Sequence, residues 1–126
     1  MKNPLKKLQT KAEKLWKEYC KKRDTSCRLC GSSEVLQVHH IFSRTKKRLF
    51  LDVENGITLC SRCHSGVTWD DSYKEKVRRL INSDTYERLF EQSCITGSFL
   101  EWKNISYLEE QIRILEELLA EKGQHE

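Results

Sequence analysis

The sequence predicts an α+β fold in which a short two-stranded hairpin sits between an N-terminal helix and a set of C-terminal helices. Three observations carry this expectation. Apolar residues recur at three- and four-residue steps in residues 4–23 and again beyond Asp70, the spacing of amphipathic helices. Two short apolar runs, one from Val35 to Ile41 and one from Ile57 to Leu59, read as strands, with the turn signal Asn55-Gly56 just before the second. Four of the six cysteines form two CxxC pairs, Cys27/Cys30 and Cys60/Cys63, one pair on each side of those strands.

The elements follow in order. Leu5, Leu8, Ala12, Leu15, Trp16 and Tyr19 make one apolar stripe of a lysine-rich helix, which we read as a core-facing stripe. Residues 24–34 form a polar knuckle, and Gly31 directly after Cys30 suits a tight turn. Residues 43–55 form a polar loop carrying Arg44, Lys46, Lys47 and Arg48, and Ser61 or Ser65 opens a helix beside the second CxxC pair. From Asp70 the pattern is helical, with Val77, Leu80, Ile81, Tyr86, Leu89 and Phe90 marking apolar faces and Ser83-Asp84 breaking or recapping the helix. Gly97-Ser98 marks a loop. Ile105, Leu108, Ile112, Leu115 and Leu119 then alternate in a and d spacing. About two heptads fit, so packing against residues 74–93 is expected rather than a long coiled coil, with a weak helical dimer contact as the alternative.

A chain of 126 residues has room for one domain. We divide it into a basic N-terminal helix (1–24), a central unit (25–70) and a helical extension (71–126). No run approaches 18 apolar residues, so no membrane span is expected, and the basic N-terminus lacks the apolar segment of a secretory signal. Charge is uneven: residues 1–23 hold nine Lys/Arg against two Glu, whereas residues 65–126 are net acidic. A basic front half suits a polyanion, although a charge run is often only a solvated face.

Two CxxC knuckles offer four thiolates, the closed tetrahedral set of a structural Zn2+ site. The long gap between Cys30 and Cys60 must hold structure, and strand–loop–strand fits it. Zinc binding would then be folding energy. The competing readings are a redox CxxC or unrelated buried thiols, and Cys20 and Cys94 read as ordinary buried residues. Near the knuckles lie His39, His40, Asn55 and His64. Neighbours on a strand face opposite sides, so one of His39 and His40 can meet His64 across the hairpin while the other can face a substrate. Neighbours on a helix diverge by about 100°, so Cys63 can face the zinc while His64 faces the strands.

The order Val38-His39-His40-Ile41, Asn55-Gly56-Ile57-Thr58-Leu59 and Cys60-Ser61-Arg62-Cys63-His64 resembles the HNH endonuclease family in its zinc-stapled branch, over about residues 27–65. The resemblance implies a ββα-metal finger with structural zinc on Cys27, Cys30, Cys60 and Cys63. It implies that His40 is the general base, that His39 stands where an Asp usually ligates the catalytic cation, that His64 is a second ligand, and that Asn55 braces the loop. One catalytic divalent cation follows; two imidazoles favour Mn2+, Ni2+ or Co2+ over Mg2+. Some relatives carry a further His one turn after the helix ligand, where this chain has Thr68. A weaker similarity, to phage recombination nucleases of the NinG (Rap) type that act on branched DNA, rests on His40-Ile41-Phe42-Ser43-Arg44 and the helical tail.

The expected function is therefore metal-dependent hydrolysis of DNA phosphodiester bonds, duplex or branched, with nicking of low sequence specificity. Arg44, Lys46, Lys47 and Arg48 are the DNA-binding candidates, and Arg44 is placed to grip a phosphate. A monomer or weak dimer in a cytoplasmic, bacterial or phage setting follows by resemblance. The alternatives are a non-catalytic zinc-stabilised DNA-binding or assembly module, and a thiol-redox protein.

Overall fold

A computed structural model describes residues 3–124; Met1 and Lys2 of the basic segment, and His125 and Glu126, lie outside the described residues. The elements are α1 (Pro4–Asp24), β1 (Leu36–His40), β2 (Gly56–Cys60), α2 (Ser61–Trp69), α3 (Asp71–Leu80), α4 (Ser83–Ser93) and α5 (Ile105–Gln124). Short 3-10 turns lie at Lys47–Leu49, Val53–Asn55 and Leu100–Lys103. The fold is α+β: an antiparallel hairpin with β2 leading into α2, flanked by helices.

α1, α3 and α4 each begin on a side-chain cap, whereas α2 follows Cys60 with none. The Asn3 side-chain oxygen accepts from Lys6 N at 2.7 Å, and Pro4 occupies the first turn, where its missing N–H costs nothing. Asp70 caps α3 through Ser72 N, and Asn82 caps α4 through Asp84 N and Thr85 N. The expected break in the 70–93 helix therefore falls at Ile81-Asn82. Gly31 takes φ +80°, the left-handed conformation that lets its N–H return to Cys27 O at 2.9 Å and close the first knuckle.

β2 is buried along its whole length because it separates two apolar clusters. On one side Ala12, Trp16 and Cys20 of α1 meet Phe50, Leu51 and the Leu108, Ile112 and Leu115 face of α5. On the other, Ile57 and Leu59 pack with Cys27, Cys60, Cys63, Val67 and Val77. Gly56 is required where α1 crosses β2: a Cβ there would lie 2.6 Å from Trp16 Cζ2 and 2.7 Å from Cys20 Sγ. The crossing is also pinned by polar contacts. Arg23 donates to Val53 O and Gly56 O, both at 2.7 Å, and Asp24 accepts from Thr58 N at 2.9 Å. Burial opposes ionisation of Asp24, but Arg23 and the Thr58 N–H outweigh it and hold the carboxyl below its ordinary value.

One expectation is corrected. The α5 heptad face packs on α1, not on residues 74–93 as its main partner. The physical reason is matched length and pattern. α1 and α5 have 21 and 20 residues and carry complementary apolar stripes. α3 instead turns Val77 toward Val67 of α2, and Tyr73 covers Gly66 so closely that a Cβ there would lie 2.6 Å from its ring. Of the apolar residues expected to mark faces of α3 and α4, Val77 and Leu89 are buried, whereas Leu80 and Phe90 are exposed; of the two lone cysteines expected to be buried, Cys20 is, but Cys94, at the end of α4, is exposed.

Candidate functional site

The hairpin register decides what the two adjacent histidines face. His39 pairs with Ile57 and His40 with Gly56, so their side chains leave opposite faces of the sheet. His39 meets His64 of α2, with ring centroids 5.4 Å apart and planes at 68°. His40 enters the α1 side and stacks between Trp16 (4.2 Å, 12°) and Phe50 (4.7 Å, 22°). Trp16 is itself fixed, donating from Nε1 to Asp52 O at 2.9 Å.

His40 Nε2 lies 3.1 Å from Phe50 O. A carbonyl oxygen only accepts, so Nε2 carries the proton and Nδ1 keeps its lone pair. Burial pushes His40 down to about 4; the Phe50 carbonyl partly opposes this, and Arg44 adds to it. Burial, with His64 and His40 nearby, lowers His39 to about 4 as well. Both rings are neutral near pH 7.

The loop that carries the Phe50 carbonyl is braced from within. Asn55 is fully buried and accepts from Phe42 N at 2.8 Å while donating to Phe42 O at 3.2 Å and Leu49 O at 3.1 Å. Adjacent carbonyls, Leu49 O and Phe50 O, thus serve Asn55 and His40. Asn55 bonds backbone only and does not line the cleft. Asn55→Ala would strand three backbone groups, Phe42 N, Phe42 O and the buried Leu49 O. We expect it to destabilise the chain by about 2–4 kcal/mol, read as a lower urea midpoint with an unchanged slope.

His39, His40, His64, Ser43, Arg44 and Thr68 line one cleft of about 1000 Å³, and α1 adds Lys17 and Lys21 to its wall. Arg44 sits at its lip, 3.2 Å from Glu13 Oε2 and above the Phe50 ring at 5.3 Å. The other expected basic residues are not in this cleft. Lys46, Lys47 and Arg48 line a second groove beyond Ser43. Lys47 Nζ lies over Phe50 and Trp102, and Arg48 over Phe99. The sequence marks Lys17 and Lys21 only as part of the lysine face of α1, whose lysines are expected to add salt-sensitive affinity for phosphates, and it does not mark Trp16, Phe50 or Glu13 as site residues. Trp16 reads there as one more apolar position of α1, and no local pattern reports that it faces a histidine.

The four knuckle cysteines converge, with every pair of Sγ atoms within 4.8 Å. Cys30 Sγ and Cys60 Sγ are 3.6 Å apart, against an edge of roughly 3.8 Å for a tetrahedron with Zn–S bonds of about 2.3 Å. Burial opposes ionisation of Cys27, but the N–H groups of Cys60, Cys30 and Leu29 prevail and bring it to about 6. Burial and the neighbouring thiols push Cys63 up. The set fits a structural zinc ion. His39 and His64 also fit a shared cation in part: two rings bonding one ion at about 2.1 Å have centroids roughly 4.5–5.5 Å apart. Among the described residues no third His, Cys or carboxylate joins them in a cluster. Thr68, one turn on, turns its hydroxyl to His64 O at 3.1 Å.

Residues 27–68 match the family model described as HNH endonuclease. This segment is similar to HNH endonucleases. It spans both cysteine pairs, the hairpin and most of α2, so the histidine cleft falls within it apart from the wall supplied by α1. No curated protein and no solved structure matches the chain. No helix among the described residues is long and apolar enough to cross a membrane.

Proposed function

We propose that the HNH-like segment of this chain is a metal-dependent nuclease that hydrolyses DNA phosphodiester bonds, nicking one strand per encounter with low sequence specificity. The observation that supports this most directly is the hydrogen bond between His40 Nε2 and Phe50 O. It turns a neutral imidazole into an oriented base with its Nδ1 lone pair free. In the reading we favour, His40 Nδ1 takes a proton from water, the water oxygen bonds to phosphorus, and the bond from phosphorus to the leaving sugar oxygen breaks. His39 and His64 would hold a divalent cation, whose positive charge would stabilise the leaving oxygen. Trp16 and Phe50 keep the base from rotating and limit water around it. Arg44, Lys17 and Lys21 supply positive charge for flanking phosphates.

The test is nicking of supercoiled plasmid across a series of divalent metals. Activity that is blocked by chelator and restored best by Mn2+, Ni2+ or Co2+ is expected, because imidazole is a softer ligand than carboxylate. His39→Ala and His64→Ala should each raise the metal concentration needed for half-maximal rate by 10-fold or more, the usual scale for removing a ligand or its support, about 10–100-fold. Equal activity with Mg2+ would reject the two-imidazole site. A metal-independent rate would reject the metal dependence, and no cleavage of DNA that the protein still binds would reject the hydrolase.

A further inference from the structure

The groove beyond Ser43 is a second concave surface, of about 1110 Å³. That exceeds the roughly 300–1000 Å³ typical of a pocket for one small molecule. Its wall is formed by the 42–48 loop of the HNH-like segment on one side and by residues 92–103, outside that segment, on the other. Three aromatic side chains line it: Phe42, Phe99 and Trp102. Four cations line it as well, Lys46, Lys47, Arg48 and Lys103, and no carboxylate does among the described residues. Two of the cations are already seated on rings. Lys47 Nζ lies 5.2 Å from the Trp102 ring centroid, and the Arg48 guanidinium lies 4.9 Å from that of Phe99. Such seats fix the direction of long, otherwise mobile side chains. Ser43 lines both this groove and the histidine cleft, so a chain leaving the cleft enters the groove directly.

We infer that this groove holds an unpaired, single-stranded segment of the DNA whose scissile phosphate lies at His40. The inference rests on the hydrolase reading for the second half of that statement only. The chemistry selects the occupant. A duplex offers phosphates outward and hides its base faces, so it satisfies the cations and leaves the aromatic wall unused. An acidic peptide does the same. An unpaired strand presents phosphates to Lys46 and Lys103 and base faces to Phe99, Trp102 and the planar Arg48 group at once. Single-strand sites are built from this pairing of a basic groove with stacking platforms.

The test measures binding apart from cleavage. Fluorescein-labelled oligo-dT of about 15 nucleotides, a length suited to one such site, is titrated against the full chain. Phe99→Ala should weaken oligo-dT binding at least 5-fold, the low end of the loss of one base stack (about 5–150-fold), and change binding of a blunt duplex less than 2-fold. Oligo-dT should also quench tryptophan fluorescence in the wild type and in Trp69→Phe, but not in Trp102→Phe. This second readout keeps the fold intact if Phe99→Ala does not. Equal effects of Phe99→Ala on both DNAs, no effect on either, or displacement of oligo-dT by poly-glutamate as readily as by unlabelled oligo-dT would overturn the inference. Phe99-dependent oligo-dT binding without cleavage of any DNA would leave the groove standing and reject the hydrolase. His40-dependent nicking of blunt duplex without Phe99-dependent oligo-dT binding would do the reverse.

Discussion

Replacing His40 with alanine is expected to lower metal-dependent nicking by at least about 10²-fold, the lower bound for a positioned general base. The proposed base role rests on geometry. The Phe50 carbonyl accepts a hydrogen bond from Nε2–H, and Nδ1 is the nitrogen left with a lone pair. Because the ring is sandwiched between Trp16 and Phe50, alanine also leaves a gap in an aromatic stack, and a loss of rate alone would be ambiguous. Two further measurements resolve it. His40→Gln fills most of the gap and has an N–H for Phe50 O, yet offers no basic nitrogen, so it should lose rate as His40→Ala does while melting close to wild type. Added imidazole can enter the slot left in His40→Ala, and it should recover part of the rate in that variant but none in His40→Gln. Binding of plasmid DNA should be unchanged in both. Nicking that persists in both variants would remove His40 from the mechanism and leave Phe50 O as the partner of a merely structural histidine.

What the sequence made legible here follows the reach of each signal. Residues close in the chain reported their relations well. The alternation of a strand separated His39 from His40, and the 100° step of a helix separated Cys63 from His64. Both separations hold in the structure, where His39 meets His64 and His40 meets Trp16. The two CxxC pairs reported one another because soft-ligand spacing is specific. Contacts between distant elements were not legible. The α5 stripe says that a partner exists but not which one, because α1, α3 and α4 all offer apolar faces. Length and stripe continuity settle it in favour of α1. Likewise a run of basic residues, Arg44 to Arg48, reads as one patch in sequence. The turn closed by Lys46 N on Ser43 O at 2.8 Å divides it, leaving Arg44 at the histidine cleft and Lys46, Lys47 and Arg48 in the groove. The clamp around His40 was hidden for the same reason: Trp16 lies 24 positions away on a helix whose pattern announces only burial.

Removing zinc from the knuckles is expected to lower the thermal midpoint by at least about 10 °C and to abolish nicking. A structural zinc site contributes about 10–16 kcal/mol of apparent binding energy near pH 7, which matches or exceeds the whole stability of a small domain, about 5–15 kcal/mol. The structure says where the loss would fall. Cys27, Cys60 and Cys63 are three of the seven buried residues in the cluster on the α2 side of β2, which leaves Ile57, Leu59, Val67 and Val77 to hold the knuckle to the hairpin and α2. Without an ion, four thiols crowd within 4.8 Å, and burial together with the neighbouring sulfurs disfavours the charged form of Cys63. The other cluster, between α1 and α5, contains none of the four knuckle cysteines. The zinc-free chain should therefore keep much of its helical circular dichroism while His64, carried by α2 directly after Cys63, loses its position against His39. Atomic spectroscopy should find about one zinc per chain in the purified protein. Cys60→Ser should reproduce the effect of chelation, whereas Cys94→Ser, on an exposed residue outside both clusters, should melt with the wild type. An unchanged midpoint after complete removal of zinc would show that the two knuckles are held by packing alone, and the site at His64 would then owe nothing to the metal.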